Sequence, residues 1–382
     1  MSCEKTDPKK ILAHLESYQD EMVQVLETLV NTDSPSTDKA CMDAFAEIVA
    51  GLWKSVGAKV DILPQEGYGN HVRVEWGSGN ETLLILCHMD TVWDKGETKN
   101  RPFRIEDGKA FGPGVYDMKA GIVEALFAVK TLADLGISPD KKIVVLHNSD
   151  EEIGSLSSRR IIEEEAKRSS AVLVLEPSAR GGALKTWRKG VGDFTFTIKG
   201  RAAHAGADYE KGISAIKEAA HQILRLHGMT DLEEGTTVNV GVVKGGTRPN
   251  VVAETAVLEV DLRVKTMRAA ELVVPEILDT KPYDPSAKVY VEGGLNRPPM
   301  ERTEGNLRLF RLAQDIGKKM GIILEESGTG GGSDGNFTSA LGIPTLDGLG
   351  AVGDDAHAIT EYTVLSSLPE RAAIVAGLMI EI

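Results

Sequence analysis

The chain has 382 residues, with 43 Lys+Arg against 57 Asp+Glu, a formal net charge of −14 and 42% hydrophobic residues. That balance is globular and long enough for two domains. It excludes disordered, collagen-like and disulfide-scaffold classes, and it opposes nucleic acid as a partner, because phosphate neutralisation needs a basic face. No apolar run approaches the roughly 18–20 residues of a membrane-spanning helix.

The amino terminus, MSCEKTDPKK, lacks the apolar stretch of a secretory signal. Cys3, Cys41 and Cys87 are odd in number and have no CxxC spacing. Cys41 and Cys87 read as reduced, buried thiols, and a cytoplasmic location is expected. Asp7-Pro8 caps a helix with apolar positions at Ile11, Leu12, Leu15, Met22, Leu26 and Leu29. A second amphipathic helix follows Ser34-Pro35 and stops near Gly57. Strands are predicted over 59–63, 71–76 and 82–89. A loop rich in Gly and Pro over 110–116 leads to a helix over 117–135. A strand over 143–147, a helix over 156–168 and a strand over 171–176 complete an α/β pattern with a parallel or mixed sheet.

Near residue 188 the pattern changes. Phe194, Phe196 and Ile198 alternate with Thr195 and Thr197, as in a strand with one wet face. A helix over 213–226, strands over 237–243 and 255–264, a helix over 267–278 and a strand over 288–291 make an α+β sandwich, one four-stranded sheet covered by two helices. After Pro298-Pro299 the alternation resumes with a helix over 307–320, a strand over 322–325, a glycine-rich loop, a strand over 343–346 and a terminal helix from Glu361. The α+β part, 189–299, is therefore read as an insertion into a discontinuous domain of 1–188 and 300–382.

Four strand ends carry acidic residues or histidine: His88-Met-Asp90, the loop reaching Asp117, Asp150-Glu151-Glu152, and Glu176 before Pro177. Sites in open α/β sheets gather outside the carboxyl ends of the strands. A single strand-end carboxylate ordinarily caps a helix or faces water. Several collected at one point repel one another unless a cation joins them, and histidine mixed with carboxylates suits zinc better than calcium or magnesium. His14, His221 and His227 fall on amphipathic helices and read as surface or packing residues, and His71 and His147 lie on strands without a motif.

The segments His88-Met-Asp90, Gly112-Pro-Gly-Val-Tyr-Asp117-Met-Lys119, Ser149-Asp-Glu-Glu-Ile-Gly154 and Glu176-Pro177 resemble the motif series of the dinuclear zinc exopeptidases. That family includes glutamate carboxypeptidase, aminoacylase, acetylornithine deacetylase and succinyl-diaminopimelate desuccinylase. The resemblance continues through Gly200-Arg-Ala-Ala-His204-Ala-Gly206, Thr247-Arg-Pro-Asn250, Gly330-Gly-Gly-Ser-Asp334 and His357. Its texture around Trp93, Arg104 and Ser155 is closest to the glutamate carboxypeptidase branch.

The resemblance implies a zinc-exopeptidase catalytic domain with the inserted sandwich serving as dimerisation domain and lid. It implies two Zn2+ per subunit, replaceable by Co2+ or Mn2+. Asp117 would bridge them, with His88 and Glu176 completing one site and Glu152 and His357 the other. Asp90 would orient the His88 imidazole, and Glu151 would be the general base that takes a proton from the attacking water. Asp354 and Asp355, beside His357, read as loop charges. His204 resembles the histidine that stabilises an oxyanion, Asn250 its neighbour, and Arg263 the arginine that holds a substrate carboxylate. Glu259, Asp261 and Arg263 share one strand face, which by itself is only a solvated charged face. Arg297 is a second carboxylate candidate. The run that includes Gly331 could offer N–H groups to an anion, and no Gly-Lys-Ser/Thr follows it to suggest a nucleotide.

The expected activity is hydrolysis of an amide bond next to a free carboxylate, in a glutamate-terminated peptide or an N-acyl amino acid, by a homodimer pairing through 189–299. N-acyl-amino-acid deacylation uses the same machinery. A non-catalytic metal-binding regulator on this fold is the alternative of another class, and Glu151 speaks against it. An aminopeptidase would want an acidic group for the substrate amine, where Arg263 and Arg297 offer the opposite polarity.

Overall fold

The computed structural model describes residues 7–382, so Cys3 lies outside the described residues. The chain folds into two compact units. The first comprises the described residues up to Trp187, with Arg302–Thr329 and Ser333–Ile382, and the second Arg188–Glu301 with Gly330–Gly332. The glycine run, expected with the larger part, groups with the smaller one.

In the larger unit α1 (Pro8–Ser17) starts on Asp7, whose carboxylate accepts the Lys9 N–H, with proline in the first turn. One helix was expected through Leu29. Instead the backbone turns at Tyr18 (φ −95°, ψ 1°) and a second helix, α2 (Gln19–Val30), follows. The Tyr18 hydroxyl donates to Asp134 at 2.6 Å, a tertiary tie that apolar spacing does not register. Ile11, Leu15, Met22, Leu26 and Leu29 are all buried on either side of the break. Helix α3 (Lys39–Ser55) is capped by Asp38 on the Cys41 N–H. Cys41 is half-buried rather than buried, whereas Cys87 is buried, and both thiols are free.

Strands β1 (Lys59–Leu63), β2 (His71–Gly77) and β3 (Glu81–His88) come next. Helix α4 (Ala120–Asp134), β4 (Lys141–Asn148), α5 (Arg159–Ala166) and β5 (Ala171–Val174) precede the insertion. Helix α6 (Glu304–Met320), β6 (Thr345–Leu346) and α7 (Ser367–Glu381) follow it. The sheet runs β1-β2-β4-β3-β5-β6. Strands β4, β3, β5 and β6 are mutually parallel, and β1 and β2 form an antiparallel edge. Alternate residues of β3 enter different cores: Leu83, Ile85 and Cys87 join the helices α1 to α4, α6 and α7, while Leu84 and Leu86 pack with Ile162 and Phe337. Burial on both faces explains the unbroken apolar run, and each such side chain contributes roughly 1.5–3 kcal/mol.

Four expected boundaries shift. Helix α5 starts at Arg159 rather than 156, because Asp150 takes the Ser157 and Ser158 N–H groups and the Ser157 hydroxyl. The strand expected over 322–325 forms instead at Glu326–Thr329, where it pairs with Leu184–Arg188. β6 shrinks to two residues. The last helix begins at Ser367, since Tyr362–Val364 is drawn into a small antiparallel sheet with Lys109–Phe111.

The smaller unit is an antiparallel sheet in spatial order Thr237–Gly245, Thr255–Val264, Gly190–Lys199, Lys288–Arg297, with helices Ala215–His227 and Met267–Leu278. Phe194, Phe196 and Ile198 enter its core. The last strand runs to Arg297 rather than 291. Glu-Gly-Gly reads as a stop, but Gly293 (φ +123°) lets the strand pass where a Cβ would lie 2.1 Å from the Asp193 carbonyl oxygen. Among the described residues, no helix is long and apolar enough to cross a membrane.

Candidate metal centre

Three parallel strands, β3, β4 and β5, deliver their carboxyl ends to one place, with His88 ending β3 and Glu151, Glu152 and Glu176 just beyond the strands. Asp117 arrives on a turn. A helix was expected to begin there, but Asp117 (φ −113°, ψ 95°) and Met118 (φ −132°, ψ 37°) are non-helical and α4 starts at Ala120. The N–H groups of Gly114, Tyr116 and Asp117, which would otherwise lead into that helix, all donate to the Glu361 carboxylate at 3.0 Å. His357 arrives on an exposed loop with positive φ (+65°), a conformation that non-glycine residues adopt rarely.

Asp117 faces an imidazole with each oxygen. Its Oδ1 lies 3.0 Å from His88 Nε2, and its Oδ2 lies 3.4 Å from His357 Nε2. His88 Nε2 is also 3.5 Å from Glu176 Oε1, and His357 Nε2 is 3.1 Å from Glu152 Oε2. Ligand atoms of His88, Glu151 and Glu176 lie within 4.8 Å of one another, as do those of His88, Asp117 and Glu152. Distance to the cluster therefore does not separate Glu151 from the ligand candidates. Glu152 keeps one buried oxygen, Oε1, without a hydrogen-bond partner.

Asp90 differs in detail from the expectation. The His88 Nδ1–H donates to the Asp90 backbone carbonyl at 2.9 Å, while the carboxylate stands farther off at 3.5 Å. That carboxylate accepts from Ser36 Oγ at 2.7 Å and from the N–H groups of Glu151 and Glu152 at 3.2 and 3.1 Å. Asp90 thus fixes the His88 tautomer through its backbone and the 151–152 turn through its side chain.

The electrostatics of the bare cluster are those of a cation site. Burial opposes the Asp117 charge, yet hydrogen bonds from His357 and His88 outweigh it and hold the carboxyl well below the usual range. Burial likewise opposes charge on His88, but Asp117 and Asp90 keep its pKa well above the ordinary value. Hydrogen bonds to Asp117 and Glu152 raise His357 to about 11. Burial raises Glu152 to about 7. The carboxylates around the imidazoles favour positive charge there. The donor set, two imidazoles with Asp117, Glu152, Glu176 and Glu151, together with the unpartnered Glu152 oxygen, fits a pair of borderline divalent ions.

The smaller unit holds the other predicted residues. His204 Nδ1 accepts the N–H groups of Gly206 and Ala207, both at 3.1 Å, so in the neutral ring Nε2 carries the proton. The structure brings Asn250 beside it, the Ala205 N–H donating to the Asn250 carbonyl. Arg263 is engaged: its Nε and Nη2 hold Asp261 at 3.0 and 2.7 Å, and Nη1 reaches the Gly330 carbonyl at 3.4 Å. Arg297 is buried, and a Cβ on Gly332 would lie 2.8 Å from its Cδ. The carbonyls of Gly331 and Gly332 face Arg188, at 3.5 and 3.0 Å, which makes Arg188 a buried cation that the sequence reading missed.

Histidines outside the cluster have other partners. His71 is buried between Ser149 Oγ and Ser157 Oγ, each at 3.1 Å. His147 Nε2 accepts the Trp53 indole N–H at 2.7 Å, and His221 stacks on Tyr283. Glu361 is the member of the site whose role the sequence did not show, because its partners lie more than 240 residues upstream.

An α/β sheet with imidazoles and carboxylates converging at its parallel strand ends defines a metal-dependent hydrolase. The chain belongs to peptidase family M20/M25/M40, whose family model matches residues 84–381. It is 33% identical to carboxypeptidase G2 of Pseudomonas sp. (strain RS-16) over 373 residues, covering 95% of this chain and 90% of that protein. It is 27% identical over 266 residues to the acetylornithine deacetylase of Shigella sonnei, covering 63% of this chain and 67% of that protein. Among solved structures, aminopeptidase PepT of Bacillus cereus matches in fold with a TM-score of 0.78 at 22% identity, over 95% of this chain and 98% of that one.

Proposed function

We propose that this metallopeptidase holds two zinc ions and cleaves an amide bond adjacent to a free carboxylate, releasing a C-terminal amino acid of the glutamate type. The observation that carries the two-ion reading is Asp117, with one oxygen facing His88 and the other facing His357. His88 and Glu176 would complete one site, Glu152 and His357 the other. When bound, the ions supply Lewis acidity to the carbonyl and acidify the attacking water. Glu151 accepts the proton of that water and returns it to the leaving nitrogen, help typically worth about 10²–10⁴ in rate. Asp90 holds the 151–152 turn and the His88 ring in place. His204, with its proton on Nε2, is suited to donate to the developing oxyanion, beside Asn250.

The carboxylate specificity rests on the likeness to carboxypeptidase G2 and on the arginines of the smaller unit. Arg263 has only Nη1 turned from Asp261, so Arg297 and the Gly331 loop share the task in this reading. Deacylation of N-acyl amino acids is the second reading, favoured by the likeness to acetylornithine deacetylase. A homodimer is supported by the Thr237–Gly245 edge strand, which exposes Val242 and Val243 beside unpaired backbone groups. The free thiols of Cys41 and Cys87 support a reducing, cytoplasmic setting.

A hydrolysis panel tests this reading. Glutamate-terminated dipeptides, N-acetyl and N-succinyl amino acids and their carboxyl esters are offered to zinc-loaded and zinc-stripped protein. Zinc-dependent release from free-carboxylate peptides, with the esters inert, is the expected result. Preference for the N-acyl amino acids installs the deacylase, and cleavage of the esters alone overturns the carboxylate requirement.

A further inference from the structure

We propose that Glu361 is a positioning residue that couples the two halves of the metal centre, holding the Asp117 turn and the His357 loop together so that the second ion binds. This rests on the two-ion reading above.

Glu361 is 1% exposed. Its Oε1 accepts the N–H groups of Tyr116 and Asp117, both at 3.0 Å. Its Oε2 accepts the Gly114 N–H at 3.0 Å and the Trp93 indole N–H at 3.3 Å. All four partners are donors, and an ionised carboxylate is the side chain with acceptor capacity for four. A glutamine in the same place would turn its own NH2 against either Tyr116 and Asp117 or Gly114 and Trp93.

The same residue ends the loop that carries His357. Residues 354–357 are exposed, and the His357 side chain is 53% exposed, with the Asp117 and Glu152 carboxylates as its recorded polar contacts. The loop closes on itself through Glu361 N–H to the Ala358 carbonyl at 3.0 Å. Outside, Arg101 donates to the Ile359 carbonyl at 3.2 Å and lies over the Trp93 ring at 4.0 Å. Trp93 in turn donates to Glu361, so the outer brace and the inner anchor meet on one carboxylate.

The consequence is asymmetric. His88 and Glu176 stand at the ends of packed parallel strands and keep their places without Glu361. The first site depends on Glu361 once, through the shared Asp117, and the site of Glu152 and His357 depends on it twice, through Asp117 and through the loop that presents His357. Loss of a partner that orients a ligand typically costs about 10–100-fold in metal affinity, and here that loss falls mainly on one of two sites.

The test is calorimetric titration of zinc into zinc-stripped protein. The wild type is expected to bind two ions. Glu361→Gln is expected to bind the first with affinity within a few-fold of wild type and the second about 10–100-fold more weakly. His357→Ala should weaken the same step, and the double variant should lose less than the sum of the two single losses, since both act on one site. Glu361→Asp, which keeps the charge on a shorter arm, should fall between. Two wild-type affinities in Glu361→Gln or in Glu361→Asp, equal weakening of both steps, or additive losses in the double variant would overturn the coupling. So would failure of both Glu361 variants to fold in the presence of zinc, which makes the residue a folding element. A wild type that binds only one ion defeats the two-ion reading instead, and the two failures are thereby told apart.

Discussion

Glu151 and Glu152 are sequence neighbours whose backbone N–H groups both rest on Asp90, yet their side chains are assigned different tasks. The assignment has a direct check. Glu151→Gln keeps the size and loses the proton acceptor, so it should retain both zinc ions while turnover falls by about 10²–10⁴. Loss of one zinc by metal analysis would show that ligand and base have been exchanged. A second prediction follows from the protons that the bare cluster carries. Burial raises Glu152 to about 7, and Asp117 and Glu152 raise His357 to about 11, so near neutral pH His357 holds a proton and Glu152 is partly protonated, and a metal must displace both. Zinc affinity should therefore fall as pH drops through 7, and binding should release protons, measured as a dependence of the calorimetric heat on the ionisation enthalpy of the buffer. Heat independent of the buffer would refute it.

At the scale of elements, β4 and α3 are joined by a polar contact inside an apolar layer. Trp53 donates to His147, and the other ring nitrogen of His147 has no partner. Burial lowers the His147 pKa to about 3, against an ordinary value of 6.5. The folded-state value is the lower one, so between these limits the unfolded chain holds a proton that the folded chain does not. Stability from this site is fully present above pH 6.5 and is lost as pH falls toward 3. In zinc-stripped protein, His147→Gln should flatten that acid limb, read from denaturant midpoints between pH 6.5 and 4. An unchanged slope would mean that His147 titrates no differently in the two states. The site itself shows the same dependence on elements: β3, β4 and β5 set three of its sides through parallel register, and a turn and a loop supply the rest.

At the scale of the whole molecule, every metal-ligand candidate belongs to the larger unit and His204 to the smaller. In the proposed homodimer, His204 would serve the neighbouring subunit's metals. His204→Ala should then lower kcat by about 10²–10³, the usual contribution of one oxyanion donor, and leave metal content intact. Mixing it with Glu151→Gln should restore part of the activity, because some heterodimers would hold one complete site. Mass-confirmed heterodimers without activity would place His204 within its own chain or outside the chemistry.

The sequence by itself determined the strand-end residues and the insertion, because both are written in short-range patterns. An apolar run of 83–87 ending in His-x-Asp, or Phe194, Phe196 and Ile198 in alternation, encodes an element and its face within a few residues. The break at Tyr18 was not legible, since the apolar phase continues across it while the cause, Asp134, lies 116 residues away. Neither was the engagement of Arg263 by Asp261, for a shared strand face shows adjacency without showing which partner the guanidinium takes. Only the tertiary structure decided that Asp117 stands on a turn rather than in a helix. Its N–H group is claimed by Glu361, 244 residues downstream, and a hydrogen bond between such distant segments exists only once the chain has closed on itself.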